Sequence, residues 1–480
     1  MKKIIYSFLL ITAVLLQGCT EIDLEVINDQ DPNSSQLGSE STAENIYKNW
    51  LLVVNEYNSP ALALATMADA TSCSWGNQGM RDMSSEPRVA FDNRSTYGEA
   101  EISEDYFNGL YAILSDANSI AGNIVNGTGT YSNKDKIESI ARLAQALSIG
   151  YLALIYDKVS VSDETGLINE GEPMSYSDAM NIAIEKIDLA IKAAERGTFS
   201  IREVNGLVLD QSTWAQYLNS IAARLIVNNA RNKQQRDNIN WTKVLAYANK
   251  GLSYDFSVLG TGDGASDWYL EWMDYSTYGG WGRVDMRLIN LMDPNTTSYW
   301  PADQVTLPES TSDDKRLVSD FEYLDSQSFR SNRGTYHFSS YRHSRYDDRL
   351  ANSYKTKFNE FLKTENDMYI AEAQLRTGDL AGAAATINAG TRKTRGELAD
   401  VGVTDSEVSD AIHYERMIEL NNTSIGLCFF EMRGKDLLQK NTPLHFPIPG
   451  GQLKTFNLPY YTFGGDQGVS GQDYSNGGWR

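Results

Sequence analysis

The stretch "IESIARLAQALSIGYLALIYDKV" (137–159) constrains the fold more than any other part of the chain. Ile140, Leu143, Ala144, Leu147 and Tyr151 recur at spacings of three and four, the period of an amphipathic helix with one buried stripe. After a loop, "SYSDAMNIAIEKIDLAIKAAERG" (175–197) repeats the pattern, with Ser177 as the expected N-cap and Gly197 as the stop. "STWAQYLNSIAARLIVNNARN" and "NWTKVLAYANKGLS" make a second pair. "ENDMYIAEAQLRTGDLAGAAATINAGTRK" makes a third, broken at Gly378-Asp379, and "SDAIHYERMIELNNTSIGLCFFEMRGKDLL" a fourth. Alanine where helices cross permits close packing, and a Gly/Asp turn folds one helix back on the next. These are tetratricopeptide-like features, but the pairs are irregular and separated by long insertions, so a regular solenoid is not expected. The predicted class is mostly α, with helical repeats over 136–255 and 355–440.

The amino terminus has a different logic. Lys2 and Lys3 precede an apolar run from Ile4 to Leu16, the layout of a secretory signal. The run falls short of the roughly 20 apolar residues that a spanning helix needs. It ends in Leu16-Gln17-Gly18-Cys19, which resembles a bacterial lipobox. Cleavage before Cys19 and acylation of that residue would give a stable membrane anchor, since two or more acyl chains hold where one does not. Residues 1–18 then form the signal peptide. Residues 19–41, polar and acidic without apolar periodicity, form a tether, and 42–480 form one domain.

Charge narrows the partners. The 480 residues carry 42 Lys and Arg against 63 Asp and Glu, a net charge of −21. Such a surface repels phosphate backbones, and no basic run offsets it, so nucleic acid is excluded as an expected partner. Of the three cysteines, Cys19 is assigned to the anchor. Cys73 and Cys428 could pair in an oxidising compartment, but separate free thiols are the favoured reading, Cys428 lying in an apolar helical run.

Motifs for catalysis are sparse. His337, His343, His413 and His445 show no close metal-ligand spacing, and the chain has no nucleophile elbow, Walker A loop or CxxC. "GTGDGASD" (260–267) is an acidic turn rather than a phosphate loop. No catalytic residue, metal or cofactor is predicted.

Aromatic residues say more. From 254 to 346 the chain loses helical period and gathers Gly, Ser, Asp and rings, as long functional loops do. Trp268, Trp272, Trp281 and Trp300 fall there with Tyr269, Tyr275, Tyr278 and Tyr299. Flat rings pack on the C–H faces of sugars at low entropic cost, although the same rings also serve to pin long loops. A second candidate is "ATSCSWGNQGMRDMSSEPR" (70–88), where Trp75 stands near Asn77 and Arg81, an indole beside amide and guanidinium donors. The candidate ligand residues are Trp75, Asn77, Arg81, Tyr278, Trp281 and Trp300.

Taken in order, several segments resemble the SusD/RagB-type lipoproteins of Bacteroidetes-like bacteria over nearly all of the mature length. They are the lipobox with its acidic tether, "YLNSIAARLIVNNARN", "AEAQLRTGDLAGAAATINAGTRKTRG", "ERMIEL" (415–420), "FFEMRGKDLL" and "PLHFPIPGGQL". Ile425-Gly426 with Cys428, and the tail "FNLPYYTFGGDQG", depart from the family pattern and mark a divergent subgroup. The resemblance implies a SusD-like α-helical fold and a non-catalytic, lipid-anchored, surface-exposed outer-membrane protein. Such a protein would capture oligosaccharides, or in some branches peptides, and pass them to a SusC-like TonB-dependent transporter. A surface polysaccharide hydrolase is the competing class. It would show a deep cleft with paired carboxylates, where a binding protein shows an aromatic face without a perturbed acid.

Overall fold

The computed structural model describes residues 38–56, 58–73, 77–168, 172–202, 208–262, 271–278, 280–298, 307–325 and 339–465. Cys19 and its lipobox, Trp75, Trp268, Tyr269, Tyr299, Trp300 and His337 lie outside the described residues. Helical structure begins with a turn at Glu40–Glu44, inside the segment expected to be tether.

Helices α1 (Ile46–Asn55) and α2 (Ala61–Met67) lead into a short strand β1 (Thr71–Cys73) and one helical turn, α3 (Met80–Met83). Then come α4 (Glu101–Asn126), α5 (Lys134–Ile155), α6 (Tyr176–Arg196), α7 (Gln211–Asn228) and α8 (Trp241–Ala248). The first two predicted pairs are present: α5 packs on α6, and α7 on α8. Polar side chains start these helices, as the orphan N–H groups of a first turn require. Asn133 caps α5, Asp210 caps α7 and Asn240 caps α8. The cap of α6 is Ser175, not Ser177: its hydroxyl accepts from Asp178 N at 3.2 Å, placing the helix start two residues earlier. Gly197 ends that helix as expected.

The middle of the chain is not all loop. It holds strand β2 (Phe256–Leu259), α9 (Glu271–Thr277), β3 (Gly282–Val284), α10 (Met286–Met292), β4 (Phe321–Tyr323) and β5 (Tyr341–His343). After β6 (Lys357–Phe361) follow α11 (Lys363–Arg376), α12 (Leu380–Asn388), α13 (Asp405–Ile418) and α14 (Leu427–Gly434). Gly378 takes a left-handed φ of 90° at the break between α11 and α12, and Asp379 caps α12 through Gly382 N at 2.9 Å. Thr404 and Glu407 close a capping box at the start of α13.

Two kinds of interaction bind the helical pairs into one body. Apolar side chains of α1, α4, α5, α6 and α7 share a continuous core around Trp50 and Trp214, and Tyr47 and Tyr217 meet across it with their hydroxyls 2.6 Å apart. Buried arginines then tie the first pairs to the last helices. Arg224 of α7 grips Glu365 of α11 with two hydrogen bonds of 2.7 Å, and Arg236 bonds both Glu372 and Glu431 at 2.7 Å. Cys428 is a free thiol buried in α14, and burial pushes it up to about 12.

Candidate functional site

Among the described residues all the sheets are two-stranded ribbons, and one of them organises the candidate face. β1 and β3 pair antiparallel, with Thr71 opposite Val284, Ser72 opposite Arg283 and Cys73 opposite Gly282. The chain therefore leaves β1 at the same end at which it enters β3. The stretches singled out from sequence, 70–88 and 254–346, thus meet at this ribbon although they are far apart in the chain.

At that end a tight turn presents Trp281. Its N–H donates to the Tyr278 carbonyl at 2.8 Å, and Gly282 N donates to the same oxygen at 2.9 Å. The indole lies against two rings, Tyr278 at 4.7 Å and Tyr275 at 5.3 Å between centroids, each tilted by 34°. Tyr278 is 38% and Trp281 44% exposed, whereas Tyr275 is 4% exposed. Tyr275 is thus the buried backing of an exposed pair. Trp272, 3% exposed, also sits in the core, so both are loop pins and not ligand rings. Asn77 and Arg81 are exposed on the loop and turn that leave β1. That loop is held in place: Gln78 N donates to Glu99 Oε2 at 2.7 Å, and Tyr97 donates to Asp82 at 2.6 Å.

A charged cluster supports the ribbon from behind. Asp69, buried and with φ 53°, accepts from Arg88 at 2.9 Å, Arg287 at 2.8 Å and Gln439 at 2.9 Å. Asp285 caps α10 and donates its own N–H to Ala70 O at 3.2 Å. Burial pushes the Asp285 carboxyl up to about 7, with Asp69 adding to the rise and Arg287 opposing it. On the other side Ser339 N donates to Val284 O at 2.9 Å, so the segment leading into β5 continues the assembly.

A cavity of about 430 Å³ opens beyond β3. Met286, Ile289, Leu307, Pro308 and Tyr341 form its apolar walls, with Asn295 and Glu309 among its polar residues. Asp293, also in the wall, accepts from Ser310, Thr311 and Asn295. Burial raises its carboxyl, but those hydrogen bonds outweigh burial and hold it below the usual range. A second cavity of about 440 Å³ lies beside the carboxy-terminal helices, lined by Asp320, Arg345, Arg395 and Glu419. These charges largely satisfy one another: Arg395 bonds Glu419 at 2.6 Å and Asp320 at 2.5 Å, and Arg345 bonds Glu419 at 2.9 Å. The carboxyls pushed up to about 7, Asp285 and Glu360, line neither cavity. The structure does contain perturbed acids, but they belong to buried ion clusters. Of the residues named from sequence, Tyr278 and Trp281 are the exposed neighbouring rings; the cavity was missed, because its walls come from three separate segments with no common motif.

No protein-family model and no curated protein sequence matches the chain. Solved structures do. A SusD superfamily protein from Parabacteroides distasonis is similar with a TM-score of 0.61 and 13% identity, over 89% of this chain and 99% of that one. A SusD-like carbohydrate binding protein from Bacteroides vulgatus gives 0.57 at 14% identity, over 83% of each chain. Surface glycan-binding protein A from Bacteroides uniformis gives 0.57 at 14% identity, over 90% and 99%. The architecture is therefore that of a helical scaffold protein carrying a loop-built face. Its fold is SusD-like, as the helix pairs and the order of the sequence segments predicted.

Proposed function

We propose that this protein is a non-catalytic, surface-exposed glycan-binding lipoprotein of the SusD type, which passes oligosaccharides to a SusC-like TonB-dependent transporter. The observation that carries the reading is the exposed Trp281–Tyr278 pair, rigidly backed by buried Tyr275 at the end of the β1–β3 ribbon. A ring fixed in place before binding stacks on a sugar face without an ordering cost. Two of the similar solved structures carry carbohydrate or glycan binding in their descriptions, which agrees with that use. Trp75, Asn77, Arg81 and Trp300 remain candidates for the same face. The hydrolase reading finds less support, because the acids pushed up to about 7 lie away from both cavities.

Lipid attachment at Cys19, outer-membrane location and the transporter partner rest on the lipobox and the family resemblance. Calorimetry of the purified protein against an oligosaccharide panel, with Trp281→Ala and Tyr278→Ala alongside, tests the binding site. Saccharide affinity that both variants retain in full would place the site elsewhere. Co-purification from native membranes in mild detergent tests the partner, and isolation without a transporter across several detergents would argue for an independent adhesin.

A further inference from the structure

The cavity beyond β3 has a chemistry that a platform for plain hexoses does not need. Resting on the glycan-binding reading above, we infer that the ligand is an N-acylated glycan, and that this cavity holds the acyl-bearing sugar while a neighbouring sugar stacks on Trp281.

Three observations carry the inference. The first is the lining: Met286, Ile289, Leu307 and Pro308 give carbon walls. The second is that several polar atoms among them already accept a hydrogen bond from the backbone or a side chain. Ser340 Oγ accepts from Leu307 N at 3.1 Å, Ser339 Oγ from Tyr341 N at 3.0 Å, and the Tyr341 hydroxyl from Ser310 N at 2.7 Å. Asp293 is occupied by Ser310, Thr311 and Asn295. A hydroxyl set against the carbon walls would give up water without a partner there, which is unfavourable. An acyl methyl gains by leaving water for the same walls. Glu309, an exposed residue of the lining, offers the ligand's amide N–H an acceptor. The third observation is continuity. Met286 follows Trp281 by five positions, so at about 3.4 Å a step their Cα atoms lie within roughly 17 Å. A short oligosaccharide spans that distance. A volume of about 430 Å³ falls within the range of small-ligand sites, large enough for a whole sugar residue with its substituent.

The test uses the purified full-length mature protein and three β1→4-linked tetrasaccharides that differ at C2: chitotetraose (acetamido), its de-N-acetylated form (amino) and cellotetraose (hydroxyl). A glycan array of N-acetylated structures with matched deacylated partners covers other linkages. We expect the bound glycans to be N-acylated, with affinity falling by about tenfold or more on deacylation. Leu307→Asp, which puts a charge in the wall, and Thr296→Trp, which adds bulk to the lining, should both weaken acylated ligands. Both positions are partly exposed, and melting temperature controls for folding. Binding of hexose-only glycans that depends on Trp281 and is indifferent to Leu307→Asp would overturn the inference and leave the proposed function standing. Binding of no glycan, or only of peptides with apolar side chains, would overturn both.

Discussion

Cys73 and Gly282 face each other in the β1–β3 ribbon, so the segment carrying Asn77 and Arg81 departs beside the turn that carries Trp281. This single pairing brings the two candidate stretches to one ribbon, and burial divides the rings there into an exposed pair, Tyr278 and Trp281, and a buried one, Tyr275. Trp281→Ala should therefore lower glycan affinity by roughly 1–3 kcal/mol, a loss of about 5- to 150-fold, with the melting temperature nearly unchanged. Tyr275→Ala, which empties a buried site, should do the reverse in order of effect, costing roughly 3–5 kcal/mol of stability first. Calorimetry and thermal denaturation on the same preparations separate the two. A large drop in melting temperature for Trp281→Ala with intact affinity would make the indole another pin.

Much of this face was hidden in the sequence for a physical reason. Tyr275, Tyr278 and Trp281 look alike as residue types, and their division into buried and exposed depends on pairing with a strand near the amino terminus. The paired helices of 134–248 and 363–434 were legible because Ala, Leu and Ile recur at helical spacing between polar caps, whereas α9 and α10 lie in the stretch read as loop. The longest helix, α4, was not read. Its sequence "EISEDYFNGLYAILSDANSIAGNIVN" carries Gly109 and Gly122, which weaken helix propensity. Packing explains Gly109: a Cβ there would come within 2.8 Å of Val53, so its small size lets α1 and α4 approach closely. Tertiary contact overrides propensity at such a position. The cavity walls show the same limit, because Met286, Leu307 and Tyr341 meet only in the fold.

Arg224 and Glu365 form a paired, fully buried ion bridge between the first and last helical units. Removing one partner strands a charge in the core, which costs about 3–5 kcal/mol. Arg224→Met should therefore be strongly destabilising in chemical denaturation. Arg224→Met with Glu365→Gln should recover part of the loss, since the Glu365 carboxylate is no longer stranded, although Glu360, 3.7 Å from Arg224, still loses its partner. Equal losses for the single and double variants would show that Arg224 acts through its bonds to Tyr151 and Glu360 O instead.

Burial pushes the Glu360 carboxyl up to about 7, against an opposing pull from Arg224. An acid whose folded pKa is raised binds its proton more tightly in the native state. Its stabilising contribution is complete below the unfolded value near 4.5 and is lost as pH rises through about 7. The loss is on the order of 3 kcal/mol. Glu360→Gln should match the parent protein near pH 4.5 and be more stable than it at pH 8. A stability difference that stays constant between those two pH values would show that Glu360 does not titrate there.

Cys428 lies in α14 with its thiol near the Met417 carbonyl, and burial holds the group protonated up to about pH 12. Thiol reagents attack the thiolate, so the native protein should resist labelling at this position. Peptide mass mapping after iodoacetamide treatment should find Cys428 modified in denaturant and unmodified without it. Rapid labelling of the native chain at neutral pH would mean that α14 opens far more readily than its packing suggests.

Membrane attachment is the remaining proposal, and it depends on one residue. Among the described residues no helix is long and apolar enough to cross a membrane, so the lipid that Cys19 would carry is the candidate anchor. Leu16, Gly18 and Cys19 supply the recognition pattern, and acidic Glu21, Asp23 and Glu25 follow on the tether side. A single acyl chain binds a bilayer only marginally, whereas a diacylglyceryl thioether with an acylated amino terminus holds firmly. Cys19→Ala should abolish acylation and shift the protein from the membrane fraction to soluble or unprocessed pools. Its glycan affinity should be unchanged, because the face lies in the folded part of the chain. Protease treatment of intact cells should remove the parent protein if it is displayed outside. Normal membrane retention of Cys19→Ala would eliminate the lipobox reading.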